Sequence, residues 1–430
     1  MGKETYPTGV ENHGGSLRIW FQYNGQRVRE NLCVPDTAKN RKVAGELRSS
    51  VCFAIKMGSF NYAAQFPQSV NLKRFGVEKK EITVSALAEK WLDLKKMDIS
   101  ANTHHRYCSV VRNMVPRIGG KKLASAVTKE DLLFIRKDLL TGVQVITHSR
   151  LQPVKGRTVP TVNFYMTTIG GMFQFAADNG YLDVNPFSSI RPLKKSKAEP
   201  DPLTRDEFSR FISACPNRQT RNLWMLAFYT GVRHGELVSL AWEDVDLKAG
   251  TLTVRRNLTS RGMFTLPKTD AGTDRVIHLV GPALSALKDQ AELTRLGKQH
   301  LTEVRLREYG RTTTHPCTFL FCPQLVSPGG VGRHHYAVGT LRSIWEPAMK
   351  RAGLRYRKAY QSRHTYACWL LSAGANPAFI ASQMGHASAQ MVYSVYGAWM
   401  PECSASQVEY INQRLKENVP YMPQGARGAG

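Results

Sequence analysis

Several side chains that could bind or attack a phosphate lie in one stretch of the chain. Tyr360, Arg363 and His364 are close together, and His386 and Tyr396 follow them. A guanidinium offers its donors in a fixed fork that matches phosphate oxygens, and a phenolic oxygen can form a covalent ester. These residue types predict a site that holds a phosphate and attacks it through a tyrosine.

A second stretch, Gly231-Val232-Arg233-His234-Gly235-Glu236-Leu237, predicts another arginine at the same site. Gly231 follows an apolar helical run and can supply a tight turn, which would deliver Arg233 to the start of the next helix. Backbone amides at a helix start also favour an anion. A lone arginine here would more often be a surface residue, so the interpretation depends on the whole stretch.

Both stretches resemble the signature boxes of the tyrosine recombinases, or phage integrases. The first box, Gly-x-Arg-x-(Gly/Ser)-Glu-(Leu/Ile), matches residues 231–237. The second reads His-x-x-Arg-His, then Leu-Gly-His, then a nucleophilic tyrosine; here Met384-Gly385-His386 is followed by Tyr396, ten positions after His386. Tyr393 is a rival nucleophile, but it lies too close to His386 for the family pattern.

The resemblance implies a role for each of these residues. Arg233 and Arg363 would hold the non-bridging oxygens of the scissile phosphate, and His386 would donate a hydrogen bond to the same group. Lys268, within Leu266 to Arg275, resembles the catalytic lysine on the family's second-to-third strand hairpin and would protonate the departing 5′ oxygen. The alternative is that Lys268 is a solvated turn lysine. Tyr396 would become joined to the 3′ phosphate.

Tyr360 departs from the family, which has histidine at this position. A phenol has a pKa of about 10, so Tyr360 is a poor proton acceptor at neutral pH, although it can donate a hydrogen bond. We expect it to steady the phosphate or Tyr396 and not to act as the base.

No cofactor is expected for this chemistry. The chain has no Gly-x-x-x-x-Gly-Lys-(Ser/Thr) loop for ATP, and a tyrosyl-phosphate ester would itself keep the energy of the broken phosphodiester. Cys317 and Cys322, near His315, His334 and His335, lack the paired close spacing of a structural zinc site. We therefore expect no metal.

Charge predicts a polyanionic partner. The 430 residues include 59 Lys plus Arg against 33 Asp plus Glu, a net charge of +26. A membrane surface would also attract this charge, but we find no long apolar run and no lipidation motif. The first residues lack the apolar core of a secretory signal, and scattered cysteines fit free thiols, so the sequence predicts the cytoplasm.

The first 65 residues predict a small sheet packed on a helix. Leu17 to Tyr23 alternates along a strand, Asn24-Gly25 is a strong hairpin signal, and a second strand and a helix over 38–56 follow. Arg18, Arg27 and Arg29 lie on the strands. They are either a solvated sheet face or a DNA-binding surface, and the resemblance implies an arm-site-binding domain here.

The middle of the chain predicts a linker, a helical domain and a basic tether. Residues 58–80 lack clear periodicity. Residues 82–188 show helical periodicity with a capping box at Thr128, and form either a plain bundle or, as the resemblance implies, the core-site-binding domain. The tether that follows contains Lys194, Lys195 and Lys197 and could track phosphates.

Residues 201–415 predict the catalytic domain. Three short strands are expected over 251–254, 263–267 and 274–279, with the rest helical, and residues 416–430 are expected to be disordered.

The sequence thus predicts a multidomain α+β protein: a sheet-plus-helix module, an all-helical core-binding domain and a mainly α catalytic domain with a small antiparallel sheet. The resemblance implies an integrase that acts on double-stranded attachment sites as a homo-tetramer in the bacterial cytoplasm, with accessory DNA-bending or directionality proteins and no membrane partner. The alternatives are a type IB-like topoisomerase and a DNA-binding protein that has lost catalysis.

Overall fold

The computed structural model describes residues 5–75, 81–144, 154–196, 199–326 and 333–399, together with 408, 409, 411–413 and 415. Contacts divide the chain into two compact units. The first combines Met1–Asp93 with Tyr107–Leu193, and the second combines Leu94–Arg106 with Lys194–Gly430. Among the described residues, no helix is both long and apolar enough to cross a bilayer.

The amino-terminal module is a three-stranded antiparallel sheet covered by a helix. Its elements are β1 (Val10–His13), β2 (Ser16–Tyr23), β3 (Gln26–Pro35) and α1 (Ala38–Lys56). The predicted hairpin is confirmed, with Asn24 and Gly25 both at positive φ, while β1 was not predicted. Leu17, Ile19 and Phe21 are fully buried, as strand alternation requires.

The interpretation of residues 58–80 as a linker is wrong over the part that packs on this module. Two short helices, α2 (Tyr62–Gln65) and α3 (Leu72–Phe75), lie in this segment. Tyr62 and Phe66 are buried in the module's core. Their ring centroids lie 6.3 and 5.8 Å from that of Phe21. Contacts with a strand so far away in the chain leave no periodic pattern within the segment itself.

The second core of this unit belongs to a helical bundle. Its helices are α4 (Val84–Asp98), α5 (Ala101–Ile118), α6 (Lys129–Thr141) and α7 (Val159–Asp178). Thr128 and Asp131 form the predicted capping box at the start of α6. The expectation of an all-helical domain is wrong in one detail, since a short antiparallel pair, β4 (Val143–Gln144) and β5 (Val154–Lys155), joins α6 to α7.

The second unit is mainly helical. Its helices are α8 (Arg205–Ser213), α9 (Arg218–Thr230), α10 (His234–Leu237), α11 (Gly281–Thr294), α12 (Val338–Arg351), α13 (Gln361–Ser372), α14 (Pro377–Met384) and α15 (Gln390–Tyr396). Aromatic side chains fill the space between them: Trp224 and Trp345 are fully buried with ring centroids 4.8 Å apart.

Two small sheets accompany these helices. Their strands are β6 (Val245–Asp246), β7 (Thr251–Val254), β8 (Asn257–Leu258), β9 (Phe264–Thr265), β10 (Arg275–His278), β11 (His300–Arg305) and β12 (Thr312–Cys317). One sheet has the order β10-β7-β6 and is antiparallel; the other has the order β12-β11-β9-β8, in which β9 and β11 are parallel.

The expectation that residues beyond 279 are wholly helical is wrong, because β11 and β12 form a hairpin there. Only alternate residues of β11 are buried, and Leu301 is 80% exposed, so the strand carries little apolar signal. The single antiparallel sheet that was predicted is in fact two sheets.

The segment before α8 is tied directly to α13. The backbone N–H groups of Asp201 and Leu203 donate to the side chains of Gln361 (3.1 Å) and Thr365 (3.0 Å). Trp369 returns a hydrogen bond to the Leu203 carbonyl at 3.0 Å. These contacts fix α13, the helix that carries Arg363.

Candidate functional site

Gly231 positions the first arginine. It ends α9 at φ +62°, and a Cβ there would lie 2.3 Å from the ring of Tyr366. Glycine is therefore required both for the backbone conformation and for space. The turn places Arg233 at the start of α10, as predicted, with its side chain 18% exposed.

Arg233 is held from two sides. Its guanidinium donates to Glu236 at 3.0 Å and to the Gly385 carbonyl at 3.3 Å. Its backbone N–H also donates to Glu236, at 2.9 Å. The side chain is thus fixed while part of it remains accessible.

Arg363 lies almost completely buried beside it. Its guanidinium donates to the carbonyls of Gly231 and Met384 and contacts His386 Nε2 at 2.9 Å. Burial lowers the pKa of Arg363 to about 10, so it still carries its charge at neutral pH. Both arginines of the predicted site therefore meet at the turn between Met384 and His386.

The state of His386 follows from its surroundings. Burial, reinforced by the charges of Arg363 and Arg233, lowers the pKa of His386 to about 4, so the imidazole is neutral. A guanidinium can only donate, which means that Nε2 accepts and Nδ1 carries the hydrogen. Nδ1 is buried and has no hydrogen-bond partner among the described residues. His386 thus keeps one N–H donor uncommitted.

Lys268 lies on an exposed turn next to this site. It makes no hydrogen bond or ion pair within the part of the chain that the structure describes. Its neighbour Thr269 donates to the Gly385 carbonyl at 3.0 Å, the same oxygen that Arg233 contacts. The turn does not join paired strands as expected, because β9 and β10 belong to different sheets.

Two buried charged residues, Arg275 and Glu236, connect these segments, and neither was assigned a role from the sequence. Arg275 donates to Glu236 at 2.6 Å, to the Gln383 carbonyl at 2.9 Å and to the Gly272 carbonyl at 2.9 Å. Burial raises the pKa of Glu236, but Arg275 and Arg233 outweigh it and hold that pKa below its usual value. The sequence signal was the Glu of the first box and an arginine shortly after Lys268.

Tyr396 is 3% exposed and packs in an apolar cluster formed by α13, α14 and α15. Its hydroxyl lies 2.8 Å from His364 Nδ1. Burial raises the pKa of Tyr396 well above its usual range, so the phenol is protonated at neutral pH. The rival Tyr393 is 49% exposed. The contact with His364 was not predicted.

Tyr360 borders the site without entering its hydrogen-bond network. It is 41% exposed, and its ring lies edge to face with His364 at 5.4 Å and with His234 at 5.7 Å. Its hydroxyl makes no hydrogen bond to any described residue.

The basic residues predicted to bind DNA have distinct surroundings. Arg18 and Arg29 both contact Glu11, at 2.8 and 3.2 Å, while the guanidinium of Arg27 lies 3.7 Å from the centre of the Trp20 ring. Lys194 and Lys195 are exposed. Lys197, like residues 416–430, lies outside the described residues.

The described residues contain no group of three metal-ligating side chains arranged around a common point. Cys317 is buried and its thiol contacts the His315 carbonyl.

Comparison with known proteins places this fold and site in a family. Residues 7–70 match the arm DNA-binding domain, and residues 202–401 match the phage integrase family. The chain is 41% identical to the prophage integrase IntR of Escherichia coli K12, over 95% of this chain and 99% of the relative. It is 53% identical to the defective protein IntQ of the same strain, over 91% and 98%.

Solved structures show the same fold at low sequence identity. The Tn1549 transposon integrase in complex with a circular intermediate DNA has a TM-score of 0.56 at 18% identity, covering 78% of this chain and 99% of its own. A lambda integrase dimer bound to a COC′ core site has a TM-score of 0.51 at 15% identity, covering 94% and 98%.

The chain belongs to the phage integrase family. Within that family it is a site-specific tyrosine recombinase, and neither the topoisomerase nor the catalytically lost alternative is favoured.

Proposed function

We propose that the chain cuts and rejoins DNA strands through a covalent 3′-phosphotyrosine intermediate at Tyr396. The observation that carries this proposal is the convergence of Arg233 and Arg363 on the turn that ends in His386. Two fixed cations would bind the non-bridging oxygens of one phosphate and stabilise the charge that develops on them during transfer.

His386 would add a third contact to the same phosphoryl group. Its Nδ1–H is a buried donor with no partner among the described residues, and such a group carries a free-energy cost until it is satisfied. A phosphate oxygen next to Arg363 would supply the acceptor. This role agrees with the one that the family resemblance implies.

Tyr396 and Lys268 would act at the two ends of the displacement. The hydroxyl of Tyr396 attacks phosphorus, the bond to the 5′ oxygen breaks, and Lys268 gives its proton to that oxygen. Lys268 is exposed and makes no ion pair with a described residue, so it is available to reach the leaving group. Attack by the 5′ hydroxyl of a partner strand reverses the step.

Tyr360 would steady the site rather than take a proton. Its ring contacts His364 and His234 at their edges, and its hydroxyl is uncommitted among the described residues. These contacts support a positioning role for Tyr360, in which its hydroxyl would donate a hydrogen bond to the phosphate.

The substrate would be double-stranded DNA carrying attachment sites. The family model that matches residues 7–70 is named for arm DNA binding, and solved relatives include a lambda integrase tetramer bound to a Holliday junction. We propose a homo-tetramer on DNA in the bacterial cytoplasm, which integrates and excises a mobile element with the help of accessory DNA-bending proteins. Its working parts would be an arm module over 1–65, a core-binding domain over 82–188 and a catalytic domain over 201–415.

The proposed DNA contacts outside the catalytic centre are basic residues on the sheet and in the tether. Arg18, Arg27 and Arg29 share the face of β2 and β3 opposite the module's core, together with Trp20. Contacts of Arg27 with the ring and of Arg18 with Glu11 would orient these side chains. Lys194, Lys195 and Lys197 would contact phosphates in the tether.

A covalent-capture experiment tests the proposal. A duplex is first selected from a random pool by its binding to the purified protein, and then nicked so that cleavage releases a short fragment and traps the adduct. We expect a protein–DNA adduct on a denaturing gel with the wild type and with Tyr393→Phe. Tyr396→Phe should form none yet bind the duplex as before, because it removes one oxygen from a large basic interface. An adduct that persists in Tyr396→Phe and disappears in Tyr393→Phe would overturn the assignment.

A further inference from the structure

The hydroxyl of Tyr396 has one hydrogen-bond partner among the described side chains. That partner is His364, whose Nδ1 lies 2.8 Å away, within the normal range for a hydrogen bond. His364 follows Arg363 on α13, so the residue that would bind the phosphate and the residue that contacts the nucleophile are neighbours in the chain. The sequence resemblance gave His364 no role.

The charge state of His364 suits a proton acceptor. Burial and the adjacent Arg363 both lower the pKa of His364 below its usual value. Among the described residues, the ionisable groups that face the imidazole are Arg363, Tyr360 and Tyr396, and none of them is a carboxylate that could favour the imidazolium. His364 is therefore neutral near pH 7, with one ring nitrogen able to accept.

We propose that His364 is a catalytic residue that takes the proton from Tyr396 as the phenol attacks phosphorus. The proposal rests on Tyr396 being the nucleophile. It places the base on the residue that follows the second arginine, in a chain whose Tyr360 stands where the family has histidine.

The step balances in protons and bonds. An oxygen lone pair of Tyr396 forms the bond to phosphorus while the hydroxyl proton moves to Nδ1 of His364. The bond between phosphorus and the 5′ oxygen breaks, and that oxygen takes a proton from Lys268. In the rejoining step the imidazolium returns its proton to the departing Tyr396, and Lys268 accepts the proton of the attacking 5′ hydroxyl.

Tyr360 is a weaker choice for this role on chemical and geometric grounds. A phenol accepts a proton poorly at neutral pH, and the ring of Tyr360 contacts His364 rather than Tyr396. The rings of Tyr360 and Tyr396 both lie against the imidazole of His364. Tyr360 would therefore orient the base.

The first test replaces His364 with asparagine. The amide oxygen of asparagine can accept the hydrogen bond of Tyr396 near the place of Nδ1, but it cannot take the proton. In single-turnover cleavage of the nicked duplex at pH 7, we expect His364→Asn to bind DNA as the wild type does and to cleave on the order of 10²-fold to 10⁴-fold more slowly. Imidazole in the buffer should restore part of the rate of His364→Ala. His278→Asn makes the same change at an exposed histidine of β10, is the matched control, and should keep the wild-type rate.

The pH profile separates proton transfer from positioning. Wild-type cleavage should fall on the acid side as His364 becomes protonated, with a midpoint below pH 6.5, because the pKa of His364 is lowered. His364→Asn should lack this acid limb, and its rate should rise with pH as the phenol ionises. Cleavage by His364→Asn at the wild-type rate and with the wild-type profile would show that His364 only positions Tyr396, and would overturn the proposal.

A substrate with sulfur in place of the bridging 5′ oxygen tests whether His364 handles the proton of the nucleophile or that of the leaving group. A thiolate leaves without a proton, so this substrate should rescue Lys268→Ala and should not rescue His364→Asn. Rescue of His364→Asn would place its effect on the leaving group and would contradict the proposal. If His364→Asn fails to fold, the wild type can be measured on the sulfur substrate instead. A base that acts on Tyr396 should keep the acid limb of the pH profile there, because only the leaving group has changed. Loss of that acid limb would exclude such a base.

The same data separate this proposal from the proposed function. An adduct formed by the wild type and abolished in Tyr396→Phe supports the nucleophile whatever His364 does. If the wild type itself forms no adduct, or forms it at another residue, the proposed function fails together with the role of His364.

Discussion

His386 and Arg363 form a hydrogen-bonded pair in which the arginine determines the tautomer of the histidine. Burial, reinforced by the charge of Arg363, lowers the pKa of His386, and the neutral imidazole accepts one of the guanidinium donors. A phosphate that entered here would meet Arg363 as a cation and His386 as a neutral donor. This division allows His386 to donate without adding a buried charge.

The relative importance of Tyr360 and Arg363 is testable at this scale. Arg363 is 2% exposed and makes contacts on three sides, whereas Tyr360 is 41% exposed and touches its neighbours through its ring. We expect Arg363→Ala to lose far more single-turnover cleavage than Tyr360→Phe, because stabilising the charge of the transition state usually accelerates a reaction more than any other single effect. Tyr360→His should remain active. A loss in Tyr360→Phe as deep as that in Arg363→Ala would show the phenol to be essential.

His234 predicts a pH dependence of stability. Its imidazole is buried against Trp224 and Tyr360, and burial lowers the pKa of His234 to about 4. The folded state binds the proton of His234 less readily than the unfolded state does. The contribution of the neutral imidazole to the free energy of unfolding is therefore complete above pH 6.5 and is lost as the pH falls toward 4. The shift from 6.5 to about 4 corresponds to about 3 kcal/mol. Urea unfolding of His234→Phe should show that much less acid destabilisation than the wild type; equal losses in both proteins would contradict the account.

At the scale of elements, Arg275 joins three segments of the site. It sits on β10 and binds Glu236 of α10, the Gln383 carbonyl of α14 and the Gly272 carbonyl of the turn after Lys268. Close packing of these segments also explains Gly385, where a Cβ would lie 3.0 Å from the Arg275 side chain. Arg275 therefore sets the relative positions of the segments that carry Arg233, Lys268 and His386.

Replacing Arg275 tests this connection. Arg275→Met leaves Glu236, which is fully buried, with a weaker set of partners, so we expect a loss of about 3 kcal/mol in the free energy of unfolding. Arg342→Met removes an arginine from a surface pair in which Arg342 is 75% exposed, and should change stability much less, because solvent screens an exposed pair. Urea unfolding followed by tryptophan fluorescence measures both. Equal effects of the two substitutions would mean that the buried pair contributes no more than a surface one.

The sequence predicted those elements that depend on residues adjacent in the chain. The hairpin at Asn24-Gly25, the capping box at Thr128 and the turn at Gly231 each depend on a few adjacent residues, and each was predicted. The packing of Tyr62 on the module and the parallel pairing of β9 with β11 depend on distant partners. No pattern within those segments indicates these contacts.

The candidate site divides in the same way. Motif spacing brought together Arg233, Arg363, His386 and Tyr396, and the structure has the first three in contact around one turn. The contact between His364 and Tyr396 joins two helices far apart in sequence, and so do the contacts of Arg275. Spacing within one helix cannot reveal which residue of another helix lies against it.

At the scale of the whole molecule, charge dominates the expected interaction with DNA. The chain carries +26, and a basic protein that neutralises several phosphates releases their counterions on binding. Affinity for the selected duplex should fall roughly 10³-fold or more between about 50 and 200 mM salt. Fluorescence anisotropy over that range measures it, and a nearly flat response would count against DNA as the principal ligand.

The most direct measurement identifies the residue that becomes joined to DNA. The adduct formed on the nicked duplex is digested with protease and nuclease, and the nucleotide-bearing peptide is sequenced by mass spectrometry. We predict a single modified residue, Tyr396, joined to the phosphate at the 3′ end of the cleaved strand. A nucleotide on Tyr393 or on any other residue, or an adduct at the 5′ end, would contradict the account.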